Sequence, residues 1–506
     1  MSYDHLSFSN VTFNYESSHT PVLGELSLDL HRGWTGITGA NGAGKTTFLL
    51  LACGLLEPSH GTVFRPDRVQ YISQRTDYPP EEFTEFLYDP DGSVQRLIGI
   101  LGIGFDWPYR WDTLSQGERK RAQVGTALWK QPDLLALDEP TNHLDYQAKN
   151  VVFQALHEYG GIGLMVSHDR GILDSLCSQC LFFREESWRL RPGGITRGLE
   201  EEERERLEAA RKLEKAKKEV KALLSEADSR RHLAEGQQKR RSKRGLAIKD
   251  HDARFKRNKA RITGKDGTGG KLLRQMDGRI KQAGENKNAL TVPKNRHTGI
   301  SVTLGESGSD FLFVIKDIIL SLDSKRKIVI PELFLKPEER IALKGPNGCG
   351  KTTVIREIIN HLPLRQEEYL YLPQELTERE SEEITRELEA MNNRQRGELL
   401  AQVSRLGSNP ERLLCTELPS PGESRKLILA KGFLRQPKLI ILDEPTNHMD
   451  LPSIQCLETC LSDLSCGMIM VSHDEAFINR MRPEILEFQR EDFGNTGAEN
   501  FKLVRT

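Results

Sequence analysis

The chain has little cysteine, with 8 in 506 residues, and few aromatics, at 7%. It also has no long apolar run. The longest nearly apolar stretch, Phe48–Leu56, falls well short of the ~20 residues a membrane span needs. So few cysteines exclude a disulfide scaffold and fit a reducing cytoplasm. Cys177 and Cys180 form a CxxC, but no second pair has matching spacing, so a metal site is not expected there. The opening MSYDHLSFSN lacks a basic-then-apolar start, so export is not expected. Net charge is small as well: 72 Lys and Arg against 73 Asp and Glu leave −1, which predicts no bulk attraction to polyanions. That balance hides one basic stretch, because residues 231–281 hold 17 Lys or Arg against 5 Asp or Glu. At 37% apolar and 29% charged, the chain is polar but not disordered overall, and its length suits roughly three or four domains.

The chain contains itself twice. GITGANGAGKTT (36–47) returns as ALKGPNGCGKTT (342–353), QPDLLALDEPTNHLD (131–145) as QPKLIILDEPTNHMD (436–450), and GLMVSHD (163–169) as MIMVSHD (468–474). The offset stays at 305 or 306 residues, from Gly39 to Gly345 and from His168 to His473. Two copies with few insertions form a pseudo-dimer on one chain, which favours the copies facing each other. The expected organisation is a first α/β domain over 1–198, a linker over 199–300 and a second α/β domain over 301–506.

The linker differs in composition. Leu213, Ala216, Val220, Leu223 and Ala227 recur at heptad spacing, and Leu273, Met276 and Ile280 form a shorter seam. Between them lies a Lys/Arg-rich run with one aromatic, Phe255. The reading is a charged α-helical hairpin with a basic tip that turns near Arg244–Asp250 and Gly264–Gly270, and a loose connection over Asn286–Ser309. The alternative is a solvated, flexible linker. One helix over 199–244 would be roughly 70 Å long. A tip rich in Lys and Arg with one aromatic suits phosphate contact more than base stacking.

Gly39–Thr46 and Gly345–Thr352 both fit GxxxxGK[ST], and each lies between an apolar strand and an apolar helix. Gly39, Gly42 and Gly44, like Gly345, Gly348 and Gly350, permit a turn that aims successive N–H groups at one point, where the helix terminus adds partial positive charge. Lys45 and Lys351 are placed to bridge β- and γ-phosphates, and the Thr46 and Thr352 hydroxyls to ligate Mg²⁺. Asn41, Thr47, Asn347 and Thr353 complete the two loops as nucleotide contacts. LLALDE and LIILDE are apolar runs of the kind buried on both faces of a parallel sheet, whose carboxyl ends open onto ligands. Asp138 and Asp443 there contact Mg²⁺ or its water. Glu139 and Glu444 orient and deprotonate the attacking water, unless they merely cap the next turn. His168 and His473, each after MVS, are read as γ-phosphate contacts rather than structural histidines. Gln74 and Gln374, after short strands, are read as Mg²⁺ or water ligands rather than exposed strand ends. Leu114-Ser-Gln-Gly-Glu118 and Pro419-Ser-Pro-Gly-Glu423 each open a helix, where hydroxyl and glycine N–H form an anion site or an ordinary cap.

This order of motifs resembles the ATP-binding cassette (ABC) family over about 400 residues. The resemblance implies two tandem P-loop NTPase cassettes, ATP hydrolysis with Mg²⁺, and head-to-tail pairing within one monomeric chain. Each ATP would lie between one phosphate loop and the other cassette's LSxGE turn. One site would join Lys45, Thr46, Gln74, Asp138, Glu139 and His168 with Ser420 and Gly422. The other would join Lys351, Thr352, Gln374, Asp443, Glu444 and His473 with Ser115 and Gly117. EPTNHLD and EPTNHMD look like the F subfamily, which is soluble and has no membrane domain. That implies a cytoplasmic protein that acts on the ribosome near the tRNA exit site, with the basic segment 231–281 on rRNA and tRNA and no integral membrane partner. It would either tune translation or displace antibiotics. The alternatives are a fused ATPase subunit of a membrane transporter, which has no need of a basic hairpin, and a DNA-repair cassette, which typically carries zinc modules or very long coiled coils.

The chain departs from the family pattern in places. Tyr15 either stacks on adenine, the preferred reading, or continues the alternation Val11, Phe13, Tyr15; Leu320–Leu322 offers no aromatic, so the second adenine grip is expected to be weaker. Pro419 stands where the first copy has Leu114. It removes a donor and restricts Thr416–Leu418, so the site built on Lys45 is expected to close differently. The short span from Gln74 to Leu114 leaves little room for an inserted arm, and no carboxyl-terminal extension is expected beyond the second cassette.

Overall fold

A computed structural model of the protein describes residues 5–16, 21–142, 144–184, 187–241, 267–289, 311–322, 326–408, 419–491 and 500–505. It divides into two compact units: residues 1–198 together with 296–506, and residues 199–295.

In the larger unit, the duplicated apolar runs become the centres of two sheets. The first sheet has six strands in the order Val69–Ile72, Leu134–Asp138, Ile162–Val166, Gly33–Gly39, Gln179–Phe183 and Trp188–Pro192. Every residue of Leu134–Asp138 and Ile162–Val166 is buried, as expected for parallel strands covered on both faces. They pair in parallel with Asp138 opposite Val166, while Gly33–Gly39 pairs with Ile162–Val166 on its other edge. A separate three-stranded antiparallel layer holds Leu23–His31, His5–Phe13 and His60–Phe64. Phe8 from that layer stacks on Phe48 of the helix Lys45–Ala52 at 4.8 Å.

The second sheet repeats this centre with Tyr369–Leu372, Leu439–Asp443, Gly467–Val471 and Arg340–Lys344, and Asp443 lies opposite Val471. It extends to eight strands because Glu484–Glu491 pairs with Asn500–Arg505, which pairs in parallel with Lys327–Ile330. The strand carrying each acid pair is second from one edge of its sheet in both halves, flanked by parallel partners on each side. Its carboxyl end lies beside the loop that follows the neighbouring strand, which is where ligands bind in such sheets.

The smaller unit carries most of the 47-residue helix Ile195–Arg241 and the helix Gly267–Ala289. Forty-seven residues at the α-helical rise make roughly 70 Å. Leu223, Ala227, Met276 and Ala283 are buried together, with Val220 and Ile280 packed on them, so members of both heptad seams meet in one small core. Arg231 Nη2 lies 3.2 Å from Asp277 Oδ1 across the pair. Two boundaries differ from the sequence reading. The returning helix already includes Gly267–Gly270, and it continues through Asn286 to Ala289. Its last turn carries Lys287, whose charge suits the helix carboxyl end. The basic tip with Phe255, the turn near Arg244–Asp250 and the connection over 290–309 lie outside the described residues. Among the described residues, no helix is long and apolar enough to cross a membrane.

Candidate functional site

Each phosphate loop is a tight turn into a helix. Gly44 and Gly350 stand at the helix N-caps with φ of 90° and 97°, values that L side chains rarely adopt, so glycine is needed there. The lysine that follows is buried and folds back over its own loop. Lys45 Nζ donates to the carbonyls of Gly39 (2.9 Å) and Ala40 (3.1 Å), and Lys351 Nζ to those of Gly345 (2.7 Å) and Pro346 (3.0 Å). One residue on, Thr46 Oγ1 donates to Asp138 Oδ2 and Thr352 Oγ1 to Asp443 Oδ2, both at 2.8 Å. Each loop is thereby tied to the acid-pair strand, which lies one strand further across the sheet. Burial raises the Asp138 and Asp443 carboxyls, and the threonine hydrogen bonds oppose that shift.

The second acid of each pair sits on a sharp backbone turn. Glu139 and Glu444 both have φ of 48°, a left-handed conformation that a non-glycine residue occupies at a cost of ~1–2 kcal/mol. Each is held there by its N–H, which donates to Val166 O (2.9 Å) or Val471 O (2.8 Å) on the next strand. Both carboxyls are buried. His168 Nε2 lies 3.3 Å from Glu139 Oε1, and His473 Nε2 lies 3.5 Å from Glu444 Oε1. Glu444 Oε2 accepts from the His473 backbone N–H at 3.1 Å. Neither oxygen of Glu139 has an aligned hydrogen-bond partner within the protein, nor has Glu444 Oε1 or His168 Nδ1. Burial pushes Glu139 up to about 8, against the pull of Lys45, and Glu444 up to about 7. Burial and the nearby lysine push His168 and His473 down to about 3, so both imidazoles are neutral at pH 7. Buried acceptors left without partners beside a lysine and a phosphate-type loop are suited to a ligand that brings its own donors or a cation.

The two halves meet at these loops. The Asn41 N–H donates to Asp450 Oδ2 at 2.7 Å, and the Asn347 N–H to Asp145 Oδ2 at 3.3 Å. Arg170 Nη2 pairs with Glu458 Oε1 at 2.6 Å, with both side chains largely buried. Asp145 and Asp450 also cap the helices Tyr146–His157 and Leu451–Ser462 through Ala148 N–H and Ser453 N–H. Sequence reasoning missed them. Their one signal was the last letter of EPTNHLD and EPTNHMD, read there only as part of a family phrase.

Between the halves lie two cavities of unlike size. The first, about 840 Å³, gathers Tyr15, Asn41, Gly42, Gly44, Lys45, Thr46, Thr47, Gln74, Asp138, Glu139 and His168. From the opposite half it takes Ser420 and Gly422. Tyr15 lies in hydrogen-bond reach of Thr47 Oγ1 through its hydroxyl (3.1 Å) and meets Phe13 edge-on. Gly422 admits no side chain, since a Cβ there would strike the His448 carbonyl. The second cavity, about 80 Å³, gathers Asn347, Lys351, Thr352, Gln374, Asp443, Glu444 and His473. From the opposite half it takes Thr141, Asn142, Lys149 and His168, but not Ser115 or Gly117. Gly345, Gly348, Gly350 and Thr353 do not line it either. Lys149 lines it from the opposite half, and its Nζ reaches His473 O (3.5 Å) while pairing with Asp169 (2.7 Å). Ser115 and Ser420 each form a capping box with the glutamate three residues on. Pro421 occupies the first helical turn, where a missing N–H costs nothing. Thr416–Leu418, ahead of Pro419, lie outside the described residues.

Two phosphate loops, each on a central parallel strand with an acid pair beside it and the other half across it, define a tandem nucleotide-binding cassette protein. The family model described as "ABC transporter" matches residues 23–142 and again 331–447. The chain carries this ATP-binding cassette domain twice, and relatives that it matches over most of its length are of the F type. It is 28% identical over 480 residues to the ribosome protection protein VmlR of Bacillus subtilis (strain 168), covering 92% of this chain and 84% of that one. It is 28% identical over 558 residues to the tylosin resistance ATP-binding protein TlrC of Streptomyces fradiae, covering 96% and 97%. Among solved structures, RNase-L Inhibitor shares the fold with a TM-score of 0.60 at 17% identity, covering 98% of this chain and 91% of that one.

Proposed function

We propose that this protein is a cytoplasmic ATPase that closes its two cassettes on ATP and acts on the ribosome, either in translation or in protection from an antibiotic. The observation that carries the reading is the contact of each phosphate loop with the opposite cassette, Asn41 to Asp450 and Asn347 to Asp145. A nucleotide at either loop is then contacted from both sides, so its γ-phosphate favours closure and its cleavage favours release. Gly39–Thr47 and Gly345–Thr353 cradle the phosphates. Tyr15 stacks on the first adenine, and Ser420 and Gly422 offer donors to the γ-phosphate from across the first cavity. Thr46, Asp138 and Gln74, and likewise Thr352, Asp443 and Gln374, would hold Mg²⁺; one hydroxyl, one carboxylate and an amide suit an ion that keeps waters and phosphate oxygens as its other ligands. Mg²⁺ there would neutralise charge that develops on the phosphates. Glu139 and Glu444 accept the proton of the attacking water, and the neutral imidazoles of His168 and His473 hydrogen-bond the γ-phosphate.

VmlR and TlrC carry ribosome protection and tylosin resistance in their names. Together with the basic segment 231–281, that supports ribosomal RNA and tRNA as partners, with the cassettes paired in a single chain and three domains at 1–198, 199–300 and 301–506. Binding through that segment would weaken steeply with salt. The decisive experiment expresses Glu139→Gln with Glu444→Gln and follows ATP turnover and co-sedimentation with ribosomes. Turnover should fall by about 100-fold or more, and the variant should stay on ribosomes in ATP. Undiminished turnover would remove these glutamates from the chemistry. Co-sedimentation with membranes instead of ribosomes would favour the transporter subunit.

A further inference from the structure

The helix that begins with Ser420 carries, five residues on, the largest fully buried side chain of the described residues. Arg425 is 1% exposed. Its Nη1 donates to the carbonyls of Pro373 (3.0 Å) and Gln374 (2.6 Å), and its Nη2 to those of Asp443 (3.2 Å) and Glu444 (2.7 Å). One guanidinium therefore grips both backbone segments that carry Gln374 and Glu444 of the second cavity. Its own helix starts at Ser420 and Gly422, which line the first cavity. The planar fork makes this possible, because its two amino groups donate in fixed, divergent directions. The Glu444 peptide is then held from both sides, by Arg425 at its carbonyl and by Val471 at its N–H.

The first half has no such link. Lys120 occupies the same place in its helix and is equally buried, but its single ammonium reaches only the carbonyls of Ser73 (2.8 Å) and Gln74 (3.3 Å). The turn at the start of that helix, Ser115 and Gly117, does not line the second cavity.

We propose that Arg425 is a positioning residue that couples the two nucleotide sites in one direction, passing the state of the first site at Ser420–Gly422 to Gln374 and Glu444 of the second. This rests on the reading of both cavities as ATP sites. A nucleotide that draws on the Ser420 turn shifts the helix as a rigid body. Arg425 carries that shift to the Glu444 backbone, whose left-handed turn sets where its carboxylate stands. Lys120 gives no return path.

The test is a double-mutant cycle on the full chain in a Glu139→Gln background, where turnover belongs to the second site. Arg425→Lys keeps the charge but shortens the reach to that of Lys120, so kcat should fall about tenfold while KM for ATP stays within about twofold. Lys45→Ala, which removes nucleotide from the first site, should also cost about tenfold, and the two together about tenfold rather than a hundredfold. Multiplying effects, or an unchanged kcat with Arg425→Lys, would overturn the coupling. Ser420→Ala leaves Arg425 in place and gives an independent arm: it should slow the second site about threefold, and no change there would also overturn it. The reading beneath fails separately, if turnover survives Glu139→Gln combined with Glu444→Gln; turnover that those changes abolish and Arg425→Lys leaves intact would sink only the coupling.

Discussion

The two cassettes carry the same motifs at the same spacing, yet they present different cavities to each other. The first is roomy, has an aromatic at Tyr15 and admits the opposing Ser420 turn; the second is small, has no aromatic over Leu320–Leu322 and is entered by Lys149 in place of Ser115. The lesson is that a duplicated set of motifs does not produce duplicated sites. Each cavity is completed by residues of the other half, and those residues diverged. Asp450 is buried and accepts from the Asn41 N–H at 2.7 Å, whereas Asp145 is half-buried and accepts from the Asn347 N–H at 3.3 Å.

That contrast can be broken by mutation. Asp450→Ala removes a helix cap together with a charge-assisted contact across the halves, and should lower the melting temperature by about 8 °C. Asp145→Ala should cost about 3 °C by the same assay. Equal losses would show that the two crossings bear the same load. A smaller effect is expected at the adenine end. Tyr15→Ala should weaken nucleotide binding about five- to tenfold in a Lys351→Ala chain, from lost ring stacking. Leu322→Ala should leave binding in a Lys45→Ala chain within about twofold; a matching loss there would mean that the second site grips the base by aliphatic contact.

The smallest expected effect lies in the pH dependence of stability. Glu139 is raised to about 8 and Glu444 to about 7, both from about 4.5. A carboxyl raised by burial supports folding fully below about pH 4.5, and that support drains away as pH rises through its folded value. Nucleotide-free Glu139→Gln should therefore melt about 2 °C above the wild type at pH 8 and with no gain at pH 4.5. For Glu444→Gln the gain should level off nearer pH 7. Gains that shrink as pH rises would contradict the burial of these acids in charged form.

Much of this was legible in the chain. The parallel strands Leu134–Asp138 and Leu439–Asp443 could be read because strands covered on both faces leave no polar alternation. The hairpin seams were readable because Val220, Leu223 and Ala227 repeat at helical spacing toward Met276 and Ile280. Arg425 and Lys120 could not be read: in sequence they are two more cations in polar helix starts, and only burial against carbonyls gives them a role. Asp145 and Asp450 were hidden for a related reason, since a helix cap and a cross-domain acceptor look the same in one dimension.

Local chemistry was written in the order of residues, because a phosphate loop, a buried strand and an acid pair depend on neighbours a few positions away. The sequence by itself therefore determined two phosphate-loop halves, the acid pairs that end their buried strands and the helical seams of the insert. The resemblance anticipated Ser420 and Gly422 at the first cavity, but the tertiary structure alone decided that Lys149 rather than Ser115 and Gly117 lines the second, and which residues the phosphate loops meet across the halves. Asn41 and Asp450 stand 409 residues apart, and no local propensity acts over such a distance; only the packing of one half on the other brings them within a hydrogen bond.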